Sequence, residues 1–131
     1  MPHNFKYPTI DAIKEFNRVI VADRNESYSV EDPERLERIL QDIKTIGEEL
    51  HLEQAIIKKA ARLLHGITQV QPFYDGNKET ALAATSVFLT HNGYNLKATN
   101  EEIFTRLTGI INGSEDLNSI EQFLLLHVRK I

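Results

Sequence analysis

The run Gln71-Pro72-Phe73-Tyr74-Asp75-Gly76-Asn77-Lys78-Glu79-Thr80-Ala81 passes without a break into Leu82-Ala83-Ala84-Thr85-Ser86-Val87-Phe88-Leu89-Thr90-His91-Asn92. In its second half, Ala81, Leu82, Ala84, Val87, Phe88 and Leu89 cover nearly the whole circumference of a helix, which predicts a central buried helix over residues 77–92. Gly93 stands where a left-handed residue would end that helix. The first half carries Pro72 and Gly76, so residues 68–75 read as a loop that leads straight into the helix.

Helical periodicity continues on both sides. Upstream, Ile10, Ile13, Phe16 and Ile20 repeat at three and four residues behind Thr9, an N-cap, and make a first amphipathic helix. Residues 24–30 read as an exposed polar loop. Asp32 followed by Pro33 is a cap and first-turn signature for a second helix, whose stripe is Leu36, Ile39, Leu40 and Ile43 and which weakens near Gly47. A third helix follows after about His51, with Ile56, Ala60, Leu63, Leu64 and Ile67 on one face. Downstream, Thr99 and Glu102 have capping-box spacing ahead of Ile103, Leu107, Ile110 and Ile111. Ser119 and Gln122 repeat the device ahead of Phe123, Leu124 and Val128. The expectation is an all-α fold, a compact bundle of six helices around a central buried helix, with no strand and a single domain over residues 1–131.

Composition excludes several function classes. Fifteen Lys and Arg against nineteen Asp and Glu leave a net charge of −4, so the one-sided basic footprint of direct nucleic-acid binding is missing. With no cysteine there is no disulfide framework, thiolate metal site or cysteine nucleophile. The longest aliphatic runs, residues 19–22 and 123–126, are far short of a membrane span, and residues 1–7 lack an apolar signal core. A soluble, cytoplasmic protein with no membrane contact is expected.

The loop ahead of residue 77 carries the chemistry. A helix N-terminus presents backbone N–H groups without intrahelical partners, and its dipole favours an anion. Gly76 permits an unusual backbone angle or a close ligand approach, Asn77 and Lys78 add donors, and Asp75 is placed to hold a divalent cation that bridges phosphates. Phe73, between polar neighbours, plugs the loop into the core. Asp75-Gly76-Asn77 alone is also a common turn composition.

The longer string resembles the signature of the Fic/Doc (Fido) superfamily, and specifically the Doc-like (death-on-curing) toxins, whose pattern is His-x-Phe-x-(Asp/Glu)-(Gly/Ala)-Asn-Lys-Arg-Thr-Ala. Lys78 followed by Thr80 and Ala81 favours the Doc branch over the AMP-transferring Fic branch. Asp32-Pro33, Phe88-Leu89 followed by Asn92-Gly93-Tyr94, and residues 113–119 ahead of the last helix are similar to the layout of Doc-type proteins, so the resemblance covers nearly the whole chain. It implies an all-helical domain that binds ATP with Mg²⁺ and transfers AMP or a phosphoryl group to a protein hydroxyl, with a cognate antitoxin and a translation elongation factor as partners. It makes Asp75 the magnesium ligand and Gly76, Asn77 and Lys78 the phosphate cradle.

Two departures fall where the chemistry is done. Gln71 stands at the family's histidine, and a primary amide orients a hydroxyl but takes no proton from it near neutral pH, a loss of about 10²- to 10⁴-fold in rate. Glu79 stands at the family's arginine, which exchanges a phosphate-neutralising cation for an anion. Either Glu79 displaces the terminal phosphate, or it points to solvent and favours the helix dipole. No other residue is expected to supply the base. His65 lies six residues from Gln71 on a different helical face and reads as a surface histidine, and His3, His51, His91 and His127 are scattered. Ser27 and Glu31 have only part of the spacing of the inhibitory motif around Fic enzymes, because Asp32 follows where it wants Gly or Asn. The resemblance with these departures implies a catalytically impaired toxin-type transferase; the alternative is a non-catalytic Fido domain that binds an antitoxin or target protein.

Overall fold

The computed structural model describes residues 3–131. Six helices follow one another: α1 (Ile10–Asp23), α2 (Pro33–Thr45), α3 (Leu52–Val70), α4 (Asn77–His91), α5 (Asn100–Asn112) and α6 (Leu117–His127). Local chemistry starts most of them. The Ala12 N–H donates to Thr9 Oγ1 at 3.1 Å, and the Arg35 N–H donates to Asp32 Oδ1 at 3.1 Å with Pro33 in the first turn. Thr99 and Glu102 close a reciprocal capping box. The last helix starts earlier than the Ser119 cap implies. Its N-cap is Asp116, whose carboxylate accepts from both the backbone N–H and the hydroxyl of Ser119, so Ser119 is a donor inside the first turn and not the cap.

Three further expectations are corrected. Helix α3 continues through Val70, so the loop spans residues 71–76 rather than 68–75; Thr68 is fully buried on the helix, where no break intervenes until Gln71 and Pro72. The hub of the bundle is α3, not residues 77–92. Helix α3 packs against α2, α4, α5 and α6, and Ile56, Ala60, Leu63, Leu64 and Ile67 have no exposed surface, whereas Leu82 and Val87 on α4 are only half-buried. On α1 the fully buried row is Ile13, Asn17 and Val21, with Ile10, Phe16 and Ile20 half-buried beside it. A polar residue therefore occupies the centre of the face that meets α4.

Two short strands are also present. β1 (Tyr94–Leu96) pairs antiparallel with β2 (Val128–Lys130), Asn95 opposite Arg129. Strands of three residues carry no readable alternation, and these exist only because distant segments meet. Gly93, at φ 89°, turns the chain out of α4 into β1. No helix among the described residues is long and apolar enough to cross a membrane.

One lysine lies inside the bundle. Lys59 on α3 is fully buried, and its ammonium donates to the Ile43 carbonyl at 2.7 Å and to Glu48 Oε1 at 2.9 Å, with the Phe5 and Tyr7 rings just over 5 Å away. The hydrogen bond from Lys59 holds the Glu48 carboxyl below its usual range.

His65 is buried on α3, not at the surface, and faces the α5–α6 connection at Glu115 and Asp116. Burial, and then the charge of Arg62, push its pKa down. The unfolded chain therefore takes up the proton first, and stability is lost as the pH falls through the ordinary histidine value of about 6.5. Thermal denaturation followed by circular dichroism should give a melting temperature that is flat at pH 8 to 7 and falls below about pH 6.5. His65→Gln should remove that upper part of the acid sensitivity, whatever its effect on the plateau.

Candidate functional site

The loop between α3 and α4 is fixed from three sides. Helix α3 ends at Gln71, which adopts a left-handed conformation, φ 52°, with its N–H donating to the Ile67 carbonyl. A residue with a Cβ is strained there, so the surrounding contacts must impose the turn. The segment ahead of α2 then pairs with the loop. The Glu31 and Asp32 N–H groups donate to the Pro72 carbonyl at 2.7 and 3.0 Å, and the Tyr74 N–H donates to the Ser29 carbonyl at 2.9 Å. Between them Phe73, 2% exposed, drops into the core.

Helix α4 closes the loop with its own first residue. Asn77 Oδ1 accepts the Phe73 N–H at 2.9 Å while Asn77 Nδ2 donates to the Phe73 carbonyl at 2.8 Å. From the other side α1 supplies Asn17, whose Nδ2 donates to the Asp75 carbonyl at 2.7 Å and to Thr80 Oγ1 at 3.1 Å. Gly76 sits between these two anchors at φ 74°, and a Cβ there would lie 3.2 Å from both Asn17 Nδ2 and Val21 Cγ1. Glycine is thus required by the backbone angle and by the approach of α1. Thr80 and Ala81 are fully buried against the same surface.

The helix that begins here has no side-chain cap. The backbone N–H groups of Asn77, Lys78 and Glu79 precede the first intrahelical bond, made by the Thr80 N–H to the Gly76 carbonyl. The Lys78 ammonium and the Asp75 carboxylate form no ion pair or side-chain hydrogen bond among the described residues, and both are half-buried beside that helix start. Gln71 is exposed, and its carboxamide is likewise uncommitted. Residues 75, 78 and 79 are therefore gathered around one helix N-terminus, with Gln71 at the far end of the loop that leads to it. The Asn77 carboxamide, in contrast, is committed to Phe73 and builds the loop.

Glu79 lies in the first turn of α4, where its charge favours the helix dipole, and it has a partner that neither expectation included. It is half-buried and pairs with Arg24 at 3.0 Å between Oε2 and Nη2. Sequence reasoning missed Arg24 and Asn17. Their signal was spacing, since Ile13, Asn17, Val21 and Arg24 recur at four, four and three residues, one helical row that carries two polar groups. His65 belongs to the α5–α6 side of α3, and Ser27 and Glu31 lie in the loop and its pairing with Pro72.

Among the described residues no group of three or more His, Cys, Asp or Glu side chains is placed to hold a metal ion. The donor set still fits Mg²⁺ carried by a phosphate ligand, because that ion commonly takes one or two carboxylates and completes its shell with phosphate and water oxygens. Asp75 is the available carboxylate. The free N–H groups of α4 and Lys78 suit the phosphates themselves.

A family model described as the Fic/DOC family matches residues 7–89, from ahead of α1 to near the end of α4. No curated protein matches the chain.

Asn77→Ala should cost about 2–4 kcal/mol, because it leaves a buried N–H and a buried carbonyl of Phe73 without partners. Lys78→Ala, which removes no ion pair or side-chain hydrogen bond among the described residues, should change stability by less than about 0.5 kcal/mol. Urea denaturation of the two variants against the parent chain measures the difference.

Proposed function

Because the chain belongs to the Fic/DOC family, we propose that it is a Doc-like Fido domain of toxin–antitoxin type that binds ATP with Mg²⁺ at the N-terminus of α4. The observation that carries this reading is the uncapped first turn of α4, open at Asn77, Lys78 and Glu79 and flanked by the uncommitted groups of Lys78 and Asp75. ATP supplies the transferable phosphoryl group or AMP when bound. The chain's part is to hold it: backbone N–H groups and Lys78 on the phosphates, Asp75 toward the cation, in the positioning and electrostatic manner of phosphoryl transfer generally.

Catalysis by this route is impaired. The Gln71 carboxamide, at the mouth of the loop, orients an acceptor hydroxyl of a target protein but removes no proton from it. A translation elongation factor as target and a cognate antitoxin as partner follow from the Doc-like reading, as does a cytoplasmic setting. A second reading is favoured by the same Gln71 and by the exposed rings of Tyr28 and Tyr74 beside the loop: a Fido domain that no longer transfers anything and acts by binding a protein.

Calorimetric titration with ATP, with and without Mg²⁺, separates these. Magnesium-dependent heat supports the nucleotide site, and its absence from folded protein rejects it in favour of the protein-binding reading. The double variant Gln71→His with Glu79→Arg should raise transfer of labelled phosphate or AMP to a target protein by about 10²-fold or more, the usual worth of a restored base. An inert double variant that still binds ATP would mean the scaffold has lost more than two side chains.

A further inference from the structure

Away from the motif loop, the first two turns of α3, the end of α6, Tyr94 of β1 and strand β2 border a cavity of about 390 Å³, within the range of about 300–1,000 Å³ typical of ligand pockets. Ile56, in its wall, is separated from Gln71 by about 22 Å of helix at the usual rise of about 1.5 Å per residue. The floor is apolar, made by Ile56, Ile57, Leu125 and Val128.

Three polar groups reach this floor without partners of their own. Tyr94 is only 4% exposed, yet its hydroxyl makes no hydrogen bond among the described residues. Tyr94 stands opposite Lys130 in the β1–β2 pairing. The flanking bonds, from the Lys97 N–H to the His127 carbonyl and from the Ile131 N–H to the Gly93 carbonyl, make this a non-hydrogen-bonded pair, whose side chains approach closely on one face. Glu53 is also near. Burial, and then the charge of Glu53, push the Tyr94 pKa up, so the phenol keeps its proton and serves as a donor. Glu53 and Lys130 form no ion pair with each other or with any other side chain among the described residues, whereas Arg129 is committed to the carbonyls of Val128 and Leu126.

A carboxylate and an ammonium thus border one apolar floor without neutralising each other, with a phenol donor beside both. A ligand with one charge would leave the other rim charge unanswered, and an uncharged one would cover both without pairing either. A zwitterion answers both. We propose that this cavity binds a free aliphatic α-amino acid: its ammonium donates to Glu53, its carboxylate accepts from Lys130 and the Tyr94 hydroxyl, and its side chain lies on Ile56, Ile57, Leu125 and Val128. The full charge of Glu53 outweighs the partial positive charge of the α3 start that would oppose the ammonium. The site is independent of the nucleotide reading, and when filled it fastens the β1–β2 ribbon and α6 to the hub helix.

The probe is L-leucine, titrated into the full chain and followed by two-dimensional amide NMR, with N-acetyl-leucine and leucinamide as analogues that each lack one charge. Saturable shifts confined to residues around the cavity are expected, with each analogue at least fivefold weaker. Glu53→Gln should weaken leucine at least fivefold and leave N-acetyl-leucine unchanged, because that analogue offers no ammonium. Lys130→Gln should likewise weaken leucine and leave leucinamide unchanged. Both side chains are exposed and unpaired among the described residues, so the variants keep the fold, which circular dichroism verifies. If leucine gives no saturable shift up to about 10 mM, or shifts residues at the start of α4 instead, the amino-acid site is wrong. If N-acetyl-leucine amide, which carries no charge, binds as tightly as leucine, the cavity is an apolar contact surface only and the proposal fails. None of these outcomes bears on Mg-ATP binding at α4.

Discussion

The carboxamide of Asn17 is where α1, the motif loop and α4 are joined. Its side chain is fully buried in a row of aliphatic residues, and one nitrogen serves the Asp75 carbonyl and the Thr80 hydroxyl. A buried amide is costly unless paired, so Nδ2 depends on both acceptors being in place, while Oδ1 is buried without a hydrogen-bond partner among the described residues. That requirement fixes how α1 lies against α4, and with it the left-handed turn at Gly76 and the meeting of Arg24 with Glu79.

Two ion pairs in the molecule have opposite characters. Lys59 is sealed from water, satisfied by a carbonyl and a carboxylate and flanked by aromatic rings, so losing either partner would strand a buried charge. Arg24 and Glu79 are both partly in water, where salt and solvent weaken their attraction. The first ties the segment ahead of α1 and the α2–α3 connection to the hub helix. The second spans α1 and α4 at the surface and adds little to the stability of the fold. Position relative to solvent, rather than residue type, separates the two pairs.

Most of the helices were legible because their starting signals are local. Thr9, Asp32-Pro33 and Thr99 with Glu102 each act on backbone groups within a turn, so residue spacing is enough to find them. The motif loop was legible as a string, and Phe73 as its plug, because a lone aromatic among polar neighbours has few other uses. What escaped depends on contacts between segments far apart. β1 and β2 have no pattern of their own, and the rank of α3 over α4 follows from how many neighbours surround each, which amphipathicity does not encode. Asp116 was overlooked because Ser119 has the more familiar capping spacing. Arg24 was read as part of a polar loop, since its partner lies on another helix and only the packing of α1 on Gly76 brings the two together.

The bonds that shape the site are also among the most distant in the chain. Asn17 reaches Asp75 and Thr80 across 58 and 63 residues, and Asn92 at the other end of α4 is tied to the backbone of Lys6 across 86. Contacts of such separation require large loops to close before they return any energy, which slows folding. Helix α1 is synthesised first but has nothing to receive Asn17 until α4 exists. The start of α4 therefore takes its shape from contacts that span half the chain, and a chain with its helices formed but α1 undocked lacks them.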